Sequence, residues 1–188
     1  MSRSVLFMSM SLDGFIADEG DALGGPDGNR LHTWFAPGGE LGRPDGAPGE
    51  LVDELMETGA VVVGRRTAEL IDHWGGAHHG CPIFVPSHRP AGPSASTYPL
   101  VTYVTDGIAS AMEQAKAAAG SRDVLVHGAY TAQQAIAAGV LDELQIHLIP
   151  VLLGRGRRLF DQLPAEVELE IVRVIDTPDA THIRYRVG

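Results

Sequence analysis

Val61-Val62-Val63-Gly64-Arg65-Arg66-Thr67 reads as a buried strand passed directly to a helix. Three consecutive β-branched apolar residues suit a strand covered on both faces. Gly64 permits a sharp turn, and Thr67 is placed to cap a helix through Ala68, Glu69, Leu70 and Ile71. Two arginines thus fall where free amides and a helix dipole favour an anion. Their guanidinium groups add charge and bidentate donors suited to phosphate. Neither the P-loop nor the Rossmann glycine pattern is present. Taken alone, a surface turn with two solvated arginines explains the segment equally well.

Outward from this stretch, strands and helices alternate. Val5–Met10 is a first strand, followed by a Ser-Leu-Asp-Gly turn at 11–14. Residues 18–49 are rich in Gly, Pro and Asp, with a short helix predicted around Asn29–Phe35 and loop at Pro37-Gly38-Gly39. Leu51, Val52, Leu55 and Met56 form one helical face that Gly59 stops. Strands follow near 61–63, 82–85 and 101–104. Asp106 is the expected N-cap of a helix carrying Ile108, Met112 and Ala115. A strand at 124–126 and a helix from about Thr131 to Gly139 come next. Strands at 144–151, 167–175 and 182–187 close the chain, the last two as a hairpin through Asp176-Thr177-Pro178-Asp179. The expectation is one α/β domain over 1–188, its sheet largely parallel with an antiparallel edge. A loop as long as 18–49 is often functional.

Composition narrows the function classes. The chain has 188 residues, with 14 Lys plus Arg against 24 Asp plus Glu, a net charge of −10. An acidic surface argues against non-specific nucleic-acid binding and against anionic membranes. It also makes a local arginine cluster more informative. Cys81 is the single cysteine, which excludes an intrachain disulfide and suits a reducing compartment. Ser9, Ser11 and Asp13 interrupt any signal-like apolar run, and no run reaches membrane-spanning length. A cytoplasmic protein is expected.

His127-Gly128-Ala129-Tyr130-Thr131 is a second strand-to-helix turn whose small residues let a backbone approach a ligand. Tight strand-to-helix packing explains it about as well. Two such turns, after Val63 and after Val126, suit a ligand lying across the carboxyl ends of neighbouring strands. The order Ser11-Leu12-Asp13-Gly14-Phe15-Ile16-Ala17, then Val63-Gly64-Arg65-Arg66-Thr67, Val126-His127-Gly128-Ala129, Gly139-Val140-Leu141-Asp142-Glu143-Leu144 and Pro150-Val151-Leu152-Leu153-Gly154-Arg155-Gly156 resembles one superfamily. It is that of the dihydrofolate reductase-like proteins. The nearest group is that of stand-alone relatives of the reductase domain of the bifunctional riboflavin-biosynthesis deaminase-reductase. The resemblance covers about residues 5–161. It implies a twisted, mostly parallel sheet of about eight strands with helices on both faces and a C-terminal antiparallel hairpin. It also implies NADPH as hydride donor, a small-molecule substrate and a homodimer.

Carried over, Gly64, Arg65, Arg66 and Thr67 match the loop that holds cofactor phosphates. Ser87, His88 and Arg89 match the strand end at the adenosine 2′-phosphate. His127, Gly128, Ala129, Tyr130 and Thr131 match the pyrophosphate loop, and Leu12, Asp13, Phe15, Ile16 and Ala17 the stretch beside the nicotinamide. Relatives often carry two glycines where this chain has Gly128-Ala129, and a Glu or Gly where it has His127. As a residue, His127 reads more readily as a satisfied strand-end histidine. True dihydrofolate reductases place a carboxylate about three residues before a helical aromatic pair. With Trp34-Phe35 as that pair, Leu31 takes the acid's place and Asp27 lies a turn earlier. The zinc pattern of the deaminase is absent.

The expectation is an NADPH-dependent reductase acting on a small heterocyclic or carbonyl/imine substrate. Alternatives are the riboflavin-pathway reduction of a ribosylamino-pyrimidine phosphate, dihydrofolate reduction, a nucleotide-binding protein without turnover, and a ligand-free dimeric scaffold. The proton that follows the hydride comes from Asp13, Asp27, His32 or water, although an Asp-Gly pair is first of all a turn former. Trp34 and Phe35 are the expected substrate wall. Arg155, in a run with Arg157 and Arg158, is a candidate for a substrate phosphate, beside a partner's acidic face or plain solvent. His73, His78, His79 and Cys81 lie close together but match no common zinc spacing, so no metal is expected. Trp74 is expected to pack against the sheet or the rim of the site.

Overall fold

A computed structural model describes residues 2–22, 24–25, 28–36, 43–93 and 95–188. Asp27 and the Pro37-Gly38-Gly39 loop lie outside them. The strands are β1 Ser4–Ser11, β2 Phe15–Ala17, β3 Ala60–Val63, β4 Ile83–Pro86, β5 Val101–Val104, β6 Val124–His127, β7 Glu143–Ile149, β8 Arg157–Arg158, β9 Leu169–Asp176 and β10 Thr181–Val187. The helices are α1 Ala47–Met56, α2 Arg65–Leu70, α3 Ile108–Ala119 and α4 Ala129–Ala137. Eight strands form one sheet in the order β5-β4-β3-β6-β1-β7-β10-β9, and β2 pairs with β8 separately. Strands β4, β3, β6 and β1 run parallel to their neighbours β5, β4, β3 and β6. The β9–β10 hairpin is antiparallel. This is the expected α/β class.

The chain divides into two compact units. The first comprises Met1–Leu6 and Glu57–Glu143. Its centre is apolar in both directions: Val61, Val62, Val63, Ile83, Leu125 and Val126 are all fully buried. Covered parallel strands need such unbroken apolar runs. Helix α3 turns Ala111, Met112, Ala115 and Ala119 inward, a mostly small-residue face, and packs on β3 and β4. Two helix starts differ from the sequence reading. Thr67 does not cap α2; Gly64, extended at ψ 147°, is the N-cap, and the helix begins as soon as β3 ends. Likewise Gly107, at φ 98°, replaces Asp106 as the cap of α3, because only glycine takes that backbone without strain.

The second unit comprises Phe7–Met56 and Leu144–Gly188. Leu31, Trp34, Leu51, Ile149 and Ala180 form its core, with Phe7, Phe35, Val52 and Ile175 packed around them. On α1, Glu54 accepts two bonds from Arg173 (2.6 and 2.8 Å) and one from Arg184 (3.0 Å), tying the helix to the hairpin. In the β2–β8 ribbon Phe15 pairs with Arg158 and Ala17 with Arg157. Gly156 enters this ribbon at φ +136°, and a Cβ there would lie 2.1 Å from the Ala17 carbonyl oxygen. Backbone, not a flexible side chain, blocks the space. Gly156→Ala is therefore expected to cost about 3 kcal/mol by overpacking and strain. Urea unfolding measures it, and an unchanged midpoint would mean that the ribbon yields without cost.

Candidate functional site

Strands β3, β4 and β6 are parallel neighbours, so the loops after them emerge at one end of the first unit. These loops carry Gly64–Thr67, Ser87–Arg89 and Gly128–Thr131, three of the stretches expected to hold a nucleotide. Two of them interlock. A Cβ on Gly64 would meet Thr131 Oγ1 at 2.7 Å, and one on Gly128 would meet Thr67 Oγ1 at 3.4 Å and Thr131 Oγ1 at 3.8 Å. Each threonine hydroxyl thus faces the glycine of the opposite turn. Gly128 has φ 92° and ψ 144° and makes no side-chain cap, so the first amides of α4 lack intrahelical partners. Open amides, two hydroxyls and two residues without side chains form a cradle for an anionic group. Ala129 is buried within it, and Tyr130 is exposed.

Arg65 has a different task from the expected phosphate contact. Its Nη1 donates to Ser87 Oγ (3.3 Å) and to the carbonyls of Arg89 (3.2 Å) and Pro90 (3.0 Å). Nε is ion-paired with Glu69 at 2.7 Å, and the guanidinium lies 5.4 Å from the Tyr103 ring centroid. It is a strut that shapes the 87–90 loop. Ser87 Oγ in turn donates to the Arg89 carbonyl and accepts from the Arg89 amide. The side chains of Arg66, His88 and Arg89 are exposed.

Beside the cradle, the segment after α2 is strained. Asp72, His73, Trp74, Gly75 and Gly76 have φ of 44°, 54°, 52°, 70° and 103°. For non-glycine residues a left-handed backbone costs about 1–2 kcal/mol each. His73 is held inside by a 2.9 Å bond between Nε2 and Tyr103 Oη. Trp74 lies face to face with His127, the last residue of β6, at 5.8 Å between centroids, and edge-on to His78 at 4.5 Å. The sequence reading puts Trp74 on the sheet or the rim and weighs His78 only as a metal ligand, and it does not single out Tyr103. Glycines following a tryptophan in a histidine-rich loop were the available signal. Among the described residues, no three His, Cys, Asp or Glu side chains converge as a metal site.

The second unit holds the other sequence candidates. Asp13 accepts from Ser11 Oγ (2.6 Å) and from the amides of Leu153 (3.1 Å) and Gly154 (2.7 Å). The hydroxyl first, then the amides, hold its pKa down to about 2. A carboxylate so held gives up no proton near neutrality, which corrects the expected acid into a clamp on the 153–154 loop. Trp34 is buried, stacked on His147 at 4.2 Å and edge-on to His182 at 4.8 Å, with Nε1 donating to Ser9 Oγ at 2.9 Å. Its faces serve the core rather than a substrate wall, and Phe35 packs against that same core. Leu31 is fully buried there too. Burial pushes His32 down to about 4. Arg155 is exposed and pairs with Glu19 at 3.4 Å. Arg157 pairs with Asp21 at 2.9 Å, and Arg158 Nη1 donates to the Asp13 carbonyl at 3.1 Å. Leu12 is exposed, whereas Ile16 and Ala17 are buried in β2. No helix among the described residues is long and apolar enough to cross a membrane.

Comparison with known proteins gives a match to the RibD C-terminal domain model over residues 4–183. An uncharacterized Bacillus subtilis (strain 168) protein, YwjB, is 27% identical over 187 residues, covering 97% of each chain. A crystal structure of a Shewanella sp. PV-4 protein, assigned provisionally to riboflavin biosynthesis, superposes with a TM-score of 0.78 at 22% identity, covering 99% of both chains. Dihydrofolate reductase from Enterococcus faecalis, complexed with NADP(H) and RAB-propyl, gives 0.58 at 18% identity, over 99% of this chain and 96% of that one. The fold is dihydrofolate reductase-like.

Proposed function

Because this chain belongs to the RibD C-terminal domain family, we propose that it is an NADPH-dependent reductase acting on a small heterocyclic or carbonyl/imine substrate. The observation that carries the reading is the cradle in which Thr67 Oγ1 faces Gly128 and Thr131 Oγ1 faces Gly64. Its open amides and absent side chains fit a pyrophosphate, whose oxygens need donors at close range. Gly64, Thr67, Gly128, Ala129, Tyr130 and Thr131 would hold that group. Arg66, His88 and Arg89 would meet the 2′-phosphate, with Arg65 setting the 87–90 loop. Bound NADPH supplies a hydride to an acceptor carbon. With Asp13 committed as an acceptor and burial keeping His32 unprotonated near neutrality, the accompanying proton comes from Asp27 or from water.

Charged contacts to a 2′-phosphate are worth on the order of 2 kcal/mol, so NADPH should bind about 30-fold more tightly than NADH. Equal affinities in a fluorescence titration would defeat this reading. The family match also favours a narrower alternative, reduction of a ribosylamino-pyrimidine phosphate in riboflavin synthesis. A substrate panel at saturating NADPH separates it from other heterocycles and from a binding protein without turnover. Dihydrofolate is disfavoured, because the apolar, buried Leu31 stands where the folate acid is expected. A cytoplasmic homodimer belongs to the same proposal, and sedimentation velocity tests the dimer.

A further inference from the structure

The β9–β10 hairpin carries its polarity the wrong way round for a lone subunit. Residues directly opposite in an antiparallel pair share a face, so the register sorts the side chains. Arg184 stands opposite Arg173, and His182 opposite Ile175. Both arginines bond Glu54 of α1, Ile175 packs on the core and His182 is buried, so this face looks inward. Ile183, Tyr185 and Val187 alternate with them and look outward, opposite Val174, Ile171 and Leu169. Val172 is left without a partner and forms a β-bulge. That one extra residue shifts the alternation of β9 and brings Val174 and Ile171 onto the same outward face. Leu169, Ile171, Val172 and Val174 are 40%, 63%, 44% and 54% exposed. The guanidinium groups are inside and the aliphatic side chains are in water.

A second copy of this chain fits that face. A two-fold axis sets a surface against itself, so a charge near the axis would meet its own like. No charged side chain lies on the outward face between the Leu169–Val187 and Val174–Ile183 pairs, although the chain has a net charge of −10. Asp176 stands beyond them and accepts from Thr181 Oγ1 at 3.0 Å. The exposed apolar area is on the order of 500 Å², and interfaces are about 60% apolar, which matches the roughly 800 Å² per partner of a stable dimer. Edge-to-edge strand addition is disfavoured, because the bulge interrupts β9, the free edge of the sheet, near its middle.

We infer that two copies of this chain associate through the outward face of the β9–β10 hairpin, sheet on sheet, and not by pairing their β9 edges. This rests on the homodimer reading and assigns its surface.

Sedimentation velocity over a concentration series is the test. Ile171→Glu should raise the dimer dissociation constant about 100-fold or more, since it sets two carboxylates into an apolar contact. Val174→Lys should do the same with the opposite charge. Leu70→Glu, on α2 and 61% exposed, should leave the constant within about 2-fold. Far-UV circular dichroism checks that each variant is folded, and if one hairpin variant is not, the other decides. In the wild-type dimer, hydrogen exchange should stay fast at the β9 amides turned away from β10. A dimer that survives both hairpin substitutions, or slow exchange along that edge, overturns the assignment while the homodimer reading stands. A wild type that sediments as a monomer throughout the series sinks both.

Discussion

Gly128→Val is expected to lower NADPH affinity at least 100-fold while leaving the protein folded. Position 128 has φ 92°, and a Cβ there already approaches Thr67 Oγ1 at 3.4 Å. The two further methyl groups of valine would fill the space between the threonine hydroxyls. An anion could then reach neither the hydroxyls nor the first amides of α4. Losing several such contacts corresponds to about 3 kcal/mol or more of binding. The same substitution should cost about 1–3 kcal/mol of stability, since a β-branched residue resists positive φ. Fluorescence titration and thermal melting read the two effects separately. A folded variant with wild-type affinity would show that the turn after β6 has no part in holding the cofactor.

The second large effect is a loss of stability in mild acid. His147 and His182 are buried in the second unit with their Nδ1 atoms 2.7 Å apart, so one ring must donate and the other accept. Thr177 Oγ1 donates to the Ala180 carbonyl and lies 3.3 Å from His182 Nε2, which makes that nitrogen the N–H. His147 is then the Nδ1 donor. Burial, then Arg173, hold His182 down to about 4, with Asp176 acting oppositely. Burial, then His182, His32 and Arg173, hold His147 well below its ordinary range. In the unfolded chain these rings titrate near 6.5. From pH 6.5 down to 4 the unfolded state therefore binds more protons, and the folded state loses ground. Stability is complete above pH 6.5 and should fall by roughly 3 kcal/mol for His182 by pH 4, with His147 and His32 adding to the loss. Urea titrations across this range measure it. The double variant His147→Leu/His182→Phe should remove most of the slope, and a flat wild-type profile would contradict the account.

How much of this was legible depends on how local each signal is. Val61–Val63 and Val124–Val126 are covered on both faces, and a continuous apolar run states that directly. Gly128 announces its turn because few other residues allow φ 92°, and Gly64 because a Cβ there would meet Thr131 Oγ1 at 2.7 Å. The β2–β8 ribbon was invisible: strands of three and two residues have no periodicity to detect. Trp34-Phe35 in a polar segment reads as a pocket wall, yet the rings that cover Trp34 come from positions 147 and 182. Asp13 reads as a turn or an acid, and the amides that fix it lie at 153 and 154. Arg65 was assigned to a ligand because its acceptors, more than twenty residues away, are backbone carbonyls that no side-chain pattern encodes. The sequence shows the turns after β3 and β6 separately; only the fold shows that each offers its threonine to the other's glycine.

The left-handed run at 72–76 carries a lesson about mutational drift. Glycine at 72, 73 or 74 would relax the backbone, so chance substitution toward glycine is rewarded rather than penalised by chain geometry. Asp72, His73 and Trp74 each hold an interaction that opposes that drift: Asp72 accepts from Tyr98 Oη at 2.8 Å, His73 bonds Tyr103, and Trp74 covers His127. Glycine at these positions would build the same turn with less strain, but without the bonds to Tyr98 and Tyr103 or the ring over His127.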